Sequence, residues 1–228
     1  MRMRKKRNLD ERLKNVSEYL FVTDFEDRNF NTAKEVKEYI DFDKWFSKSQ
    51  PLYLEIGCGK GKFACTFAAQ NPEINLLAVE KSANVIVEAC ETAKEMGLNN
   101  LRFIKGGAEY LEKFIKPCSV EQIFLNFSCP FPKKKYASHR LTHGNFLKIY
   151  KRLLKKGAEI HQKTDNMHFF EFSIEHLSQN GFALKNVTLD LHNSGFEGNI
   201  ITEYEQRFLS LGQPIYRLEA YIPEDSND

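Results

Sequence analysis

The stretch Glu55-Ile56-Gly57-Cys58-Gly59-Lys60-Gly61 has residue types and a spacing that could hold a nucleoside. Glycines at alternate positions let the backbone turn sharply and let a ligand approach the main chain closely. The dinucleotide fingerprint G-x-G-x-x-G would put its third glycine at position 62, where this chain has Lys62. Farther on, Glu80 closes an apolar run. A carboxylate there can accept hydrogen bonds from both hydroxyls of a ribose. A third turn, Lys105-Gly106-Gly107-Ala108-Glu109, repeats the pattern of glycines beside an acid. Basic clusters stand apart from these turns, at Arg2 to Arg7 (RMRKKR) and at Lys133 to Lys135. They suit phosphate, and they equally suit a solvated surface.

Such residues act only if strands and helices bring them to one edge. Leu52 to Ile56 is a short apolar run ended by glycines, as expected of a buried parallel strand. Lys62 to Gln70 reads as a helix ended by Pro72, and Leu76 to Val79 as a second strand. Ser82 can cap a helix carrying Val85, Ala89, Ala93 and Met96, with Gly97 as its stop. Leu101 to Ile104 and Gln122 to Phe127 are further strands. A helix with Phe146, Ile149, Tyr150 and Leu153 follows, stopped by Gly157. A weaker strand from Ala158 to Lys163 and a helix from Phe169 to Asn180, closed by Gly181, come next. Ala183 to Leu191 and Pro214 to Ile222 read as strands. This alternation predicts an α/β fold: an open, mostly parallel central sheet with helices on both faces. Right-handed crossovers place the strand ends, and hence the glycine turns, along one edge.

Residues 1–50 read as an N-terminal extension, rich in aromatics (Phe21, Phe25, Phe30, Phe42, Trp45, Phe46), part of which is expected to pack as short helices on the main domain. Residues 51–222 are the main domain and 223–228 an acidic tail. A chain of 228 residues, 42% hydrophobic, can bury a core of its own. The net charge of +2 does not by itself announce a nucleic-acid binder. Five cysteines, an odd number with no C-x-x-C spacing, argue against a disulfide framework and against a zinc site. No apolar stretch could span a bilayer and the start lacks a signal-peptide core, so a cytoplasmic protein is expected.

The stretch Leu125 to Thr142, LNFSCPFPKKKYASHRLT, resembles the motif NFSDPWPKKRH followed by RLT of the bacterial tRNA (guanine-N7)-methyltransferases. The likeness continues at Lys163-Thr164-Asp165-Asn166, at Leu189 to Ser194, at Thr202-Glu203-Tyr204-Glu205 and at Gly212 to Arg217, and covers roughly residues 52–220. The G-x-G-x-G loop likewise resembles the first motif of class I methyltransferases, with their Rossmann-like fold and S-adenosylmethionine (SAM) cofactor. The resemblance implies transfer of a methyl group from SAM to N7 of a guanine in the tRNA variable loop. It implies that Glu55, Gly57, Gly59, Gly61, Glu80, Gly107 and Cys129 hold SAM, and that Cys129 also occupies the catalytic position. It gives Lys133, Asp165, Thr202, Glu203, Tyr204 and Glu205 to the substrate, and Lys134, Lys135, His139 and Arg140 to the RNA backbone. Neither a metal nor a membrane enters; tRNA is the partner, and the protein is a monomer or homodimer.

This sequence departs from the family at telling places. Cys129 stands where the family has the central aspartate, Phe131 where it has tryptophan, Tyr136 where it has histidine, and Gly107 where an adenine-contacting carboxylate is expected. Guanine N7 already presents a lone pair, so no general base is required and positioning can supply much of the acceleration. A thiol imitates a carboxylate poorly unless ionised, and unperturbed cysteine is mostly protonated at pH 7. Cys129 is therefore expected to leave fold and SAM binding in place and to lower turnover, and Gly107 to weaken the cofactor's hold. The main alternative is a SAM- or RNA-binding homologue that has lost catalysis. A small-molecule methyltransferase would not need Lys133 to Lys135, and a nicotinamide enzyme is disfavoured by Lys62.

Overall fold

Continuous apolar runs become strands buried on both faces. In residues 1–114, β1 (Leu20–Val22), β2 (Leu52–Ile56), β3 (Asn75–Glu80) and β4 (Leu101–Lys105) are all parallel, in the order β1-β4-β3-β2. The computed structural model describes residues 4–23 and 38–224. Arg2 of the basic opening, Phe25 and Phe30, and residues 225–228 of the tail lie outside them. Leu54, Leu76, Leu77, Ala78, Leu101 and Phe103 are wholly buried. Helices α1 (Leu9–Asn15), α2 (Phe42–Trp45), α3 (Lys62–Gln70), α4 (Ala83–Glu95) and α5 (Leu111–Phe114) connect or flank these strands. The register pairs Ile56 with Val79 and Glu80 with Lys105, so the strands end together.

Residues 115–228 hold β5 (Val120–Asn126), β6 (Leu154–Thr164), β7 (Ala183–Thr188) and β8 (Tyr216–Tyr221), in the order β5-β6-β8-β7. β5 and β6 are parallel, while β8 runs antiparallel to both β6 and β7. Their helices are α6 (Gly144–Leu153), α7 (Met167–Gln179) and α8 (Glu203–Ser210). Among the described residues no helix is long and apolar enough to cross a membrane.

The departures from expectation have local causes. Beside its short helices the extension holds a strand that was not expected: β1 pairs parallel with β4, with Leu20 opposite Phe103. Its basic opening is partly consumed, since Lys6 pairs with Glu88 of α4, and Arg12 of α1 grips Glu91 at 2.7 and 2.6 Å. Ser82 is the N-cap of α4 by position, but its side chain makes no capping hydrogen bond; its amide donates to the Glu80 carboxylate at 2.8 Å. Gly157 does not stop α6; that helix already ends at Leu153, and β6 begins at Leu154. β7 ends at Thr188 rather than at Leu191.

A network of ionisable groups crosses β6, β8 and β7. His161 Nε2 and Glu159 Oε2 are 2.7 Å apart, Lys185 also reaches Glu159, and Arg217 and Asn186 hold Glu219. With their oxygens engaged this way, Glu159, His161 and Glu219 form an internal ion network. Burial lowers the pKa values of His161, His143 and His176. Glu159 and Glu219 are pushed up by burial but held lower still by their cationic partners. A histidine with a lowered folded pKa binds its proton more readily unfolded, so its contribution is lost as pH falls below its unfolded value of about 6.5. The depressed carboxylates lose theirs on further acidification, with the same sign. Thermal melts at pH 7.5 and 5.5 are expected to show a lower Tm at the acidic value; a higher Tm at pH 5.5 would contradict these linkages.

Candidate functional site

In residues 1–114 the glycine turns and their neighbouring acids stand at the ends of β2, β3 and β4. After Ile56 the chain turns through Gly57, Gly59 and Gly61, with φ values of 86°, 58° and 81°. These lie in the left-handed region that glycine enters without steric cost. Gly57 and Cys58 both donate to Val79 O, at 2.7 and 3.1 Å, which ties the loop to β3. The glycines then divide the work. A Cβ at Gly57 or Gly59 would meet nothing within 4 Å, so the main chain there faces open space. A Cβ at Gly61 would fall 2.5 Å from Ala89 Cβ, so that glycine lets α4 pack against the loop. Lys60 secures the same contact through Glu88 at 3.4 Å.

The Glu80 carboxylate accepts from Gly59 N at 3.3 Å and from Ser82 N at 2.8 Å. It is thus fixed beside the open glycine face, with lone pairs to spare for a diol. Glu55 is buried in β2 immediately before the loop. Gly107 follows β4 and opens a short turn of 3₁₀ helix, Ala108–Tyr110. The open space over Gly57 and Gly59 and the fixed Glu80 fit a ribose-bearing cofactor.

Residues 115–228 carry the rest of the expected site at the ends of β5 and β6. Phe127 leaves β5 at φ 49° and Phe131 follows at φ 40°, both in a region costly for side-chain-bearing residues. Strain of this kind persists only where the surroundings impose it. Here Phe127 N donates to Lys163 O at 2.8 Å, and Arg140 donates to Pro130 O and Phe131 O at 2.9 and 3.0 Å. The bend leaves the Cys129 thiol exposed. Arg140 also lies 4.3 Å from the centre of the Phe172 ring. It shapes the Cys129 loop, a role that charge alone did not reveal. Lys133, Lys134 and Lys135 are exposed, and His139 packs on Phe131 and Tyr136.

The Thr202-Glu203-Tyr204-Glu205 segment opens α8 through a capping box. Thr202 Oγ1 accepts from Glu205 N at 3.0 Å, and the Glu205 side chain reaches back to the Thr202 amide. This S/T-x-x-E signal stands in the sequence and marks a helix start that reading it only as a substrate motif missed. Glu205 is fully buried. Its carboxylate takes Lys163 Nζ at 2.8 Å and Asn199 Nδ2 at 2.5 Å, with His192 at 3.4 Å. Glu205 therefore anchors α8, while Glu203 and Tyr204 face outward. Tyr204 stacks on Phe127, ring centres 6.5 Å apart and planes 15° from parallel. Asp165 is half-buried one residue past β6. Lys163 was not among the expected site residues; its place in the Lys163-Thr164-Asp165-Asn166 motif was the available signal.

Comparison with known proteins agrees with this geometry. The family described as "Putative methyltransferase" matches residues 49–218. A tRNA (guanine-N(7)-)-methyltransferase of Staphylococcus epidermidis is 47% identical over 78% of this chain and 82% of its own length. One from Bacillus subtilis is 45% identical over 78% of this chain and 84% of its own, and one from Clostridioides difficile 39% identical over 96% and 98%. Among solved structures, the 16S rRNA methyltransferase KamB superposes with a TM-score of 0.61 at 17% identity, covering 84% of this chain and 98% of that one. An antibiotic-related methyltransferase does so with a TM-score of 0.56 at 18% identity, covering 80% and 95%. At such identities the likeness establishes the fold, the Rossmann-like one of class I methyltransferases.

Proposed function

From the premise that this chain belongs to the tRNA (guanine-N(7)-)-methyltransferase family, we propose that it moves the methyl group of SAM to N7 of a guanine in tRNA. The observation that carries this reading within the molecule is the open space over Gly57 and Gly59 beside the fixed Glu80 carboxylate. Glu80 would take the ribose hydroxyls and the glycine loop the neighbouring atoms, with Glu55 toward the amino-acid end. When bound, SAM supplies an electrophilic methyl group on a positively charged sulfur.

The chain's own residues then have a limited task. Guanine N7 attacks with a lone pair it already has, so what must be supplied is orientation and a field that tolerates positive charge. Asp165 and Glu203 are our candidates to accept from the donors on the guanine's Watson–Crick edge, and Tyr204 offers an exposed ring to stack on. The target base must leave its own stack to be methylated, and an aromatic face offsets part of that cost. Glu205 works indirectly, by holding the start of α8. The exposed Lys133 contacts the substrate, and Lys134 and Lys135 follow phosphates; the enzyme works in the cytoplasm, where tRNA is.

Purified protein, unmodified tRNA and methyl-labelled SAM are expected to yield labelled 7-methylguanosine. Label only in other nucleosides, or none at all, would overturn the proposal. Replacing Lys134 and Lys135 by glutamine is expected to flatten the dependence of log binding constant on log salt by about 1.5. An unchanged slope would return both lysines to ordinary solvated surface.

A further inference from the structure

Gly107 lacks the carboxylate expected beside an adenine, yet a carboxylate occupies that space. A Cβ built on Gly107 would fall 2.6 Å from Glu109 Cδ and 2.9 Å from Glu109 Oε1. The Gly107 backbone, at φ −93° and ψ 150°, is ordinary extended chain that any residue adopts. A side chain at position 107 would therefore meet the Glu109 carboxylate and displace it, with no strain from the main chain. Glu109 is 2% exposed. Its Oε1 accepts from Lys81 Nζ at 2.8 Å, and its Oε2 is buried with no hydrogen-bond partner among the described residues.

Buried acceptors are mostly satisfied, and one left open by the protein can be met by water, an ion or a ligand's donor. The surroundings say which donor. Lys81 follows Glu80, the ribose residue of the proposed site, and Glu80 pairs in register with Lys105 at the end of β4. Gly106 N donates to Glu80 O at 3.1 Å, so the Gly107 turn adjoins the ribose position. Neighbouring strands lie about 4.8 Å apart, so a nucleoside whose ribose is held at the end of β3 reaches the end of β4 with its base. A carboxylate oxygen there suits an amino group and repels a carbonyl. We infer that Glu109 recognises the 6-amino group of the cofactor's adenine, supplying from position 109 the carboxylate that position 107 lacks. The inference rests on SAM being the methyl donor.

The test is calorimetric titration with S-adenosylhomocysteine and with its inosine counterpart, which carries a carbonyl in place of the amino group. The wild-type chain is expected to prefer the adenine compound by about tenfold or more, the size of one hydrogen bond to a charged group. Glu109→Gln keeps the shape and can turn its amide to donate to the carbonyl, so the preference should collapse chiefly through tighter binding of the inosine compound. Gly107→Ala should weaken the adenine compound by displacing the Glu109 carboxylate. Gly107→Asp combined with Glu109→Ala should recover affinity lost in Glu109→Ala alone. Equal weakening of both compounds in Glu109→Gln, or an unaltered preference, would overturn the inference and leave Glu109 as a partner of Lys81 only. A wild-type chain that binds neither compound would instead sink the methyl-donor reading.

Discussion

Glu205→Ala is expected to lower the stability of this chain by about 3–5 kcal/mol, because it strands a buried ammonium. Lys163 is 6% exposed and Glu205 wholly buried. Lys163 Nζ donates to Glu205 Oε2 at 2.8 Å, to Asn199 Oδ1 at 2.9 Å and to Ile200 O at 2.9 Å. Removing the carboxylate also removes the acceptor for Asn199 and the reciprocal half of the capping box. At this chain length the loss corresponds to a fall in Tm of about 6–20 °C. Adding Lys163→Met to Glu205→Ala should recover part of it, since the second change removes the stranded charge and returns apolar volume. Circular-dichroism melts of both variants decide the matter. A single variant melting within a degree or two of wild type would show that the pair balances its own desolvation and does not anchor α8.

This pair shows where sequence reading stops. The strands around it were legible, because unbroken apolar runs such as Leu76 to Val79 have few other places to go than a sheet covered on both faces. So was the turn after β2, since G-x-G-x-G directly after a strand demands a tight bend. Charge was legible too, but not its direction. Glu205 looked like a carboxylate offered to a substrate, yet its partner Lys163 lies 42 positions upstream and turns it inward. Arg140 looked like a phosphate contact, but two carbonyls of the Cys129 loop claim it. β1 was missed because three residues carry too little pattern to announce a strand whose partner is β4, some eighty positions on. Glu109 shows the same limit: a glycine at 107 reads as a missing acid until the chain is folded.

Cys129→Asp is expected to raise kcat by about five- to tenfold and to leave the affinity for S-adenosylhomocysteine little changed. The magnitude follows from the charge being introduced. A carboxylate about 4 Å from developing positive charge is worth about 1 kcal/mol under water-like screening and about 4 kcal/mol at an effective dielectric of 20. Position 129 is exposed, so the lower end applies. The loop should accept the change without rebuilding. Its bend is set by Phe127 and Phe131 in left-handed geometry, and by Arg140 and Lys163 O, none of which involves the thiol. Aspartate also offers two strong acceptor oxygens in place of one weakly accepting sulfur, so part of the gain should appear as a lower KM for tRNA. Steady-state kinetics with tRNA and SAM varied separately resolve the two contributions. If Cys129→Asp folds as the wild type does and turns over more slowly, the cysteine has acquired a role that the aspartate cannot fill. If neither form methylates tRNA, the methyl-transfer reading falls with this prediction.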